Sequence, residues 1–99
     1  MKVFYTVTAL ADMRSIGRYI QTDSSANARN FIGDLKNACA ALAHTPRGYP
    51  AMPRFAELGL RKRVFRDYLI IYRVADHIEV FRILHGARDV DAILGGETN

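Results

Sequence analysis

The chain has one cysteine, three prolines and no tryptophan. With Cys39 alone, no internal disulfide is possible, which excludes a disulfide-stapled scaffold and fits a reducing cytoplasm. No apolar run exceeds a few residues, far short of the roughly 20 that cross a bilayer as a helix, so no membrane role is expected. The opening "MKVFYTVTALADMRS" carries one lysine, a brief apolar stretch and then Asp12. It is expected to be a strand entering a helix, not a secretory signal. There is no glycine-rich phosphate loop and no G-x-S-x-G nucleophile elbow. His44, His77, His85 and Cys39 fall at no zinc-ligand spacing. No metal and no cofactor are therefore expected.

What the chain does have is an ordinary globular composition with a basic excess. It is 49% hydrophobic and 24% charged over 99 residues, which predicts one domain spanning residues 1–99. The net charge is +4 and the pI about 9.6. Between Arg47 and Arg88 there are nine Lys/Arg against four Asp/Glu. Such a stretch suits an anionic partner, either nucleic acid or an acidic protein surface, and equally suits a merely solvated face.

Periodicity sets out the elements. "KVFYTV" (2–7) is β-branched and aromatic, hence a strand. Thr8 is a candidate cap for a helix to about Gln21, with Leu10, Met13, Ile16 and Ile20 on one face. Thr22-Asp23-Ser24-Ser25 is turn chemistry, and a second helix is predicted over 26–44 with Ala28, Phe31, Ile32, Leu35, Cys39 and Leu42 as its stripe. Thr45-Pro46 ends it, since proline cannot extend the ladder. Residues 47–59 are expected to be a surface loop. "LRKRVF" (60–65), "YLIIYRV" (68–74) and "HIEVFRIL" (77–84) should form an antiparallel meander, followed by a short helix over 89–94 capped by Asp89. The predicted class is α+β, a β-α-α-β-β-β order in which an antiparallel sheet packs on a helical hairpin, with a short C-terminal helix.

Several side chains on this frame could carry chemistry. Arg61 and Arg63 alternate onto one face of their strand, and Arg73 and Arg82 interrupt apolar strands, falling diagonally on one face if the turn between them is tight. Strand arginines can grip phosphates or carboxylates bidentately, or snorkel and pair locally. His85 lies at a strand end in "RILHGARD", where it is either a general acid or base or a residue that orients the turn. Cys39 sits within a helical stripe and should be a buried, inert thiol.

The run "ELGLRKRVFRDYLIIYRVADHIEVFRILHGARDV" (57–90) resembles the ParE branch of the RelE/ParE toxin superfamily. "LADMRSIGRYI" is similar to that family's first helix and "LAHTPRGYP" to the end of its second. The resemblance implies the toxin of a type II toxin–antitoxin pair, of the kind that serves plasmid stabilisation. It also implies neutralisation by a ParD-like antitoxin encoded next to it, in a toxin–antitoxin hetero-oligomer. RelE-like members are ribosome-dependent mRNA endonucleases, whereas ParE-like members poison DNA gyrase without a reaction of their own. An arginine usual in the nucleases is Leu69 here, and no tyrosine follows Tyr72 to serve as the C-terminal catalytic group. Leucine cannot stabilise charge developing on a phosphate. The expectation is thus a gyrase-binding inhibitor with no catalytic residues, and with Arg61, Arg63, Arg82, His85 and Arg88 as target-binding candidates. Ile16, Ile20, Phe31 and Leu35 are the candidates for antitoxin binding, against the alternative that a helix stripe is core. The enzyme alternative is an mRNA endonuclease using Arg61, Arg63 and His85. A third reading is a module that binds its antitoxin and nothing else.

Overall fold

The computed structural model describes residues 1–88 and 90–95. Strand β1 (Val3–Tyr5) leads into helix α1 (Val7–Gln21), and helix α2 (Ser25–Ala40) returns alongside it. A meander of β2 (Leu60–Phe65), β3 (Tyr68–Val74) and β4 (Ile78–His85) follows, then helix α3 (Val90–Gly95). The sheet order is β1-β4-β3-β2, with β2–β3 and β3–β4 antiparallel as expected. The first strand pairs with the last in parallel, Val3 opposite Ile78 and Tyr5 opposite Val80, a pairing that the meander pattern did not contain.

Helix α1 starts earlier than Thr8 because Thr6 makes the better cap. Its hydroxyl accepts from the Ala9 N–H at 3.0 Å and donates to the Phe81 carbonyl at 2.8 Å, tying the helix start to the sheet. Ser24 caps α2 by accepting from the Asn27 N–H at 3.1 Å. That helix tightens into a 3-10 turn, Ala41–Ala43, instead of running to His44, ahead of Thr45-Pro46. The predicted cap Asp89 lies outside the described residues.

Two cores flank the sheet. Between helices and sheet, Leu35, Cys39 and Leu42 pack with Ile70, Tyr72 and Val80, all fully buried. On the other face Leu60, Ile71 and Leu84 are covered by Met52, Phe55 and the apolar side of α3. Both faces of β3 are therefore buried, which is why "YLIIY" is an apolar run and not an alternation. Residues 47–59, expected as a surface loop, are instead partly structural. Pro53–Leu58 form 3-10 turns, Ala51 bridges to Arg61, and the buried Tyr72 hydroxyl donates to the Pro46 carbonyl at 2.9 Å.

Candidate functional site: a basic helical groove and the end of strand four

The expected target-binding residues do not form one surface. Arg61 and Arg63 do share a face, but it is the face beneath the helices, opposite Tyr72 and Ile70. Arg63 Nη1 donates to the Ala38 carbonyl at 2.7 Å, one of the orphan acceptors at the C-terminal end of α2, where a cation also suits the helix dipole. Its guanidinium lies 5.2 Å from the Tyr49 ring centroid. Arg61 Nη1 donates to the Tyr49 carbonyl at 2.8 Å and more distantly to that of Arg47. These arginines clamp the segment after α2 onto the sheet.

Arg82 is likewise held inside the fold. The β3–β4 register skips Phe81, with Tyr72 opposite Val80 and Ile71 opposite Arg82, so Phe81 is a bulge residue. Beyond the end of β1 the edge of β4 would be bare, and Asp12 of α1 covers it. Its carboxylate receives Arg82 Nε at 2.8 Å, Arg82 Nη2 at 3.0 Å and the Ile83 N–H at 2.9 Å. The expected diagonal of Arg73 and Arg82 is replaced by local pairing, because three residues link the strands and set Glu79 opposite Arg73. The two side chains meet at 2.7 Å.

A test of the clamp follows. Replacing Arg63 with Met keeps the apolar stem but leaves the Ala38 carbonyl without its charged donor, at a cost of about 1.5–3 kcal/mol. Urea unfolding should show that loss. Unchanged stability with abolished toxicity would instead make Arg63 a contact for the target.

His85 and Arg88 are exposed at the far end of β4. His85 Nδ1 accepts from the Ala87 N–H at 3.1 Å, and its ring meets Tyr68 edge-on with centroids 5.2 Å apart. The Gly86 N–H donates to the Asp67 carbonyl at 2.7 Å, fastening this turn to the β2–β3 turn. There Arg66 adopts a left-handed φ of 54°, pairs with Asp34 at 2.7 Å and lies over Phe65 and Phe31. No arginine of the expected nuclease set is bonded at His85.

The four expected antitoxin contacts fall mainly in the core. Leu35 is 0% exposed and Ile16 7%, while Ile20 and Phe31 pack against the same cluster. Ile16 and Leu35 face the sheet and are not free to meet a partner, whereas Ile20 and Phe31 are only half-buried. The outer side of the hairpin instead carries a groove of about 670 Å³ between α1 and α2. Leu10, Met13 and Ile32 line it, with Gly17 and Gly33 leaving room. Its rim is Arg14, Arg18, Arg29 and Lys36, and no acidic residue lines it. Among the described residues none of these four cations makes an ion pair, in contrast to Arg66 and Arg82. The signal lay in the sequence, as cations four apart on α1 and seven apart on α2, each flanking the apolar stripe.

Burial pushes the Cys39 thiol up to about 11, so it is a core group and not a nucleophile. No group of three or more potential metal ligands occurs among the described residues. No helix among them is long and apolar enough to cross a membrane.

The profile of a family described as "ParE toxin of type II toxin-antitoxin system, parDE" matches residues 3–90. The chain belongs to this family. Toxin RelE2 of Caulobacter vibrioides is 38% identical over 89 residues, covering 88% of this chain and 97% of that toxin. A solved chain of a chromosomal ParDE TA system from P. aeruginosa superposes with a TM-score of 0.72 at 20% identity, over 86% of this chain and 95% of that one. At that identity the superposition shows the shared ParE fold. The chain is thus a ParE-family toxin of a type II system, with the sheet, helical hairpin and α+β class of that fold.

Proposed function

We propose that this ParE-family toxin acts in the cytoplasm by binding rather than by cutting a nucleic acid, and that its target is DNA gyrase. The observation that carries the binding mechanism is the internal commitment of Arg61, Arg63 and Arg82. Scission of a phosphodiester needs cations aimed at the charge that builds on the phosphate. Here those guanidiniums hold carbonyls and a carboxylate of the fold itself. Gyrase as the target rests on membership of the ParE family, whose resemblance already pointed there.

An antitoxin completes the proposal, in keeping with the ParDE system of the structural relative. The groove between α1 and α2 is the surface that suits it. A helix laid there would set an apolar stripe against Leu10, Met13 and Ile32 and its acidic flanks against the four rim cations.

The mRNA endonuclease remains the competing reading, favoured by the name of the RelE2 relative. Purified toxin should block supercoiling by gyrase and leave mRNA on translating ribosomes uncut. Codon-phased cuts with normal supercoiling would reverse the assignment. Silence in both assays, with tight antitoxin binding, would leave a module that binds its antitoxin alone.

His85→Gln separates the two mechanisms at one residue. As a turn residue, His85 should contribute less than about tenfold to toxicity, scored as the inducer dose that arrests growth. Removal of a general acid or base would cost about 10²–10⁴-fold in rate.

A further inference from the structure

We propose that the cleft between the end of α1 and the β2–β3 turn binds a single unstacked nucleobase, guanine in preference to the others. The cleft has a volume of about 460 Å³ and is lined by Tyr19, Ile20, Phe31, Asp67, Tyr68 and His85. A shallower depression of about 320 Å³ lies beside it and shares Asp67, Tyr68 and His85. This inference stands apart from the gyrase reading, because base binding is measured on the toxin alone.

Aromatic surface comes first. Tyr19 is 74% exposed and lines the cleft beside Tyr68. Phe31 and Tyr68 meet with centroids 5.5 Å apart at 62°, and Tyr68 and His85 at 78°, so none of these rings stacks face to face on another. Arg66 already lies over Phe31, which leaves Tyr19 and Tyr68 to receive a flat guest. Stacking on such rings accepts any base, so it supplies affinity and no choice among bases.

The polar groups supply the choice. His85 Nδ1 accepts the Ala87 N–H, which requires its lone pair and places the proton of the neutral ring on Nε2. His85 therefore offers one donor. Asp67 offers an acceptor: its backbone carbonyl holds Gly86, while its carboxylate makes no hydrogen bond or ion pair among the described residues. Tyr19, Asp67, Tyr68 and His85 all line this one cleft, so their polar groups converge on it. Guanine presents two adjacent N–H groups to a carboxylate, with O6 and N7 as acceptors, whereas adenine and cytosine each present one amino group. An arginine side chain fits less well, because the His85 donor would face it and Arg66 lines the adjoining depression. Arg88, exposed just past the cleft, and the net charge of +4 favour a ligand that carries phosphate.

The test is an NMR titration of the full chain with GMP, AMP, CMP, UMP, inorganic phosphate and N-acetylarginine amide. GMP should shift the ring signals of Tyr19, Tyr68 and His85 and saturate at the lowest concentration. Tyr19→Ala should weaken GMP about tenfold, as expected for one lost base–aromatic stack, without lowering the thermal midpoint. Asp67→Asn should remove the preference for GMP over AMP, again with the fold intact. Equal shifts from inorganic phosphate would overturn the proposal. So would GMP binding that both variants leave unchanged, shifts from the arginine amide alone, or no shifts from any ligand.

Discussion

Asp12→Ala should cost about 1.5–3 kcal/mol of stability, the range for losing hydrogen bonds to a charged group, here in a part-buried ion pair. The pair is secluded, with side-chain exposures of 17% for Arg82 and 13% for Asp12. One substitution removes the acceptor that serves three donors: two guanidinium nitrogens and the Ile83 N–H. Such a loss is a large part of what holds a domain of this size together, so unfolding in urea should shift strongly. Arg82→Met in the Asp12→Ala background should recover part of the loss, since an apolar side chain there leaves no buried charge. A double-mutant cycle showing no coupling between positions 12 and 82 would refute the brace. It would also return Arg82 to the list of residues available to a target.

That brace shows where reading the sequence succeeded and where it stopped. The meander was legible because "LRKRVF" and "YLIIYRV" are β-branched or aromatic segments joined by tight turns, and local pattern determines antiparallel neighbours. The parallel partnership of β1 with β4 was not legible, because Ile78 lies 75 positions after its partner Val3 and no local period encodes such a contact. The arginines were found but their use was not. Whether a guanidinium faces solvent or a helix C-terminus depends on which sheet face the hairpin covers, and alternation alone is symmetric between the two faces. The same ambiguity misplaced Ile16 and Leu35. Their stripe marks the buried side of the hairpin, and the groove proposed for a partner is flanked instead by Arg14, Arg18, Arg29 and Lys36.

The groove yields the sharpest separation of stability from binding through Gly33. A Cβ added at Gly33 meets nothing within 4 Å, and the residue lines the groove on the exposed side of α2. Glycine inside a helix is about 0.5–1 kcal/mol less favourable than alanine. Gly33→Ala should therefore stabilise the toxin slightly while scarcely narrowing the groove. Gly33→Trp should leave the core untouched yet fill the space that a docking helix needs. The cognate antitoxin should then bind at least about 100-fold more weakly, equivalent to about 2.7 kcal/mol. Calorimetric titration would read that change, and loss of growth rescue on co-expression would report it in cells. Toxicity without antitoxin should persist if the target is met elsewhere, so the variant also tests whether one surface serves both partners. Full neutralisation of Gly33→Trp would place the antitoxin on another face, because no helix can occupy a groove already filled by an indole.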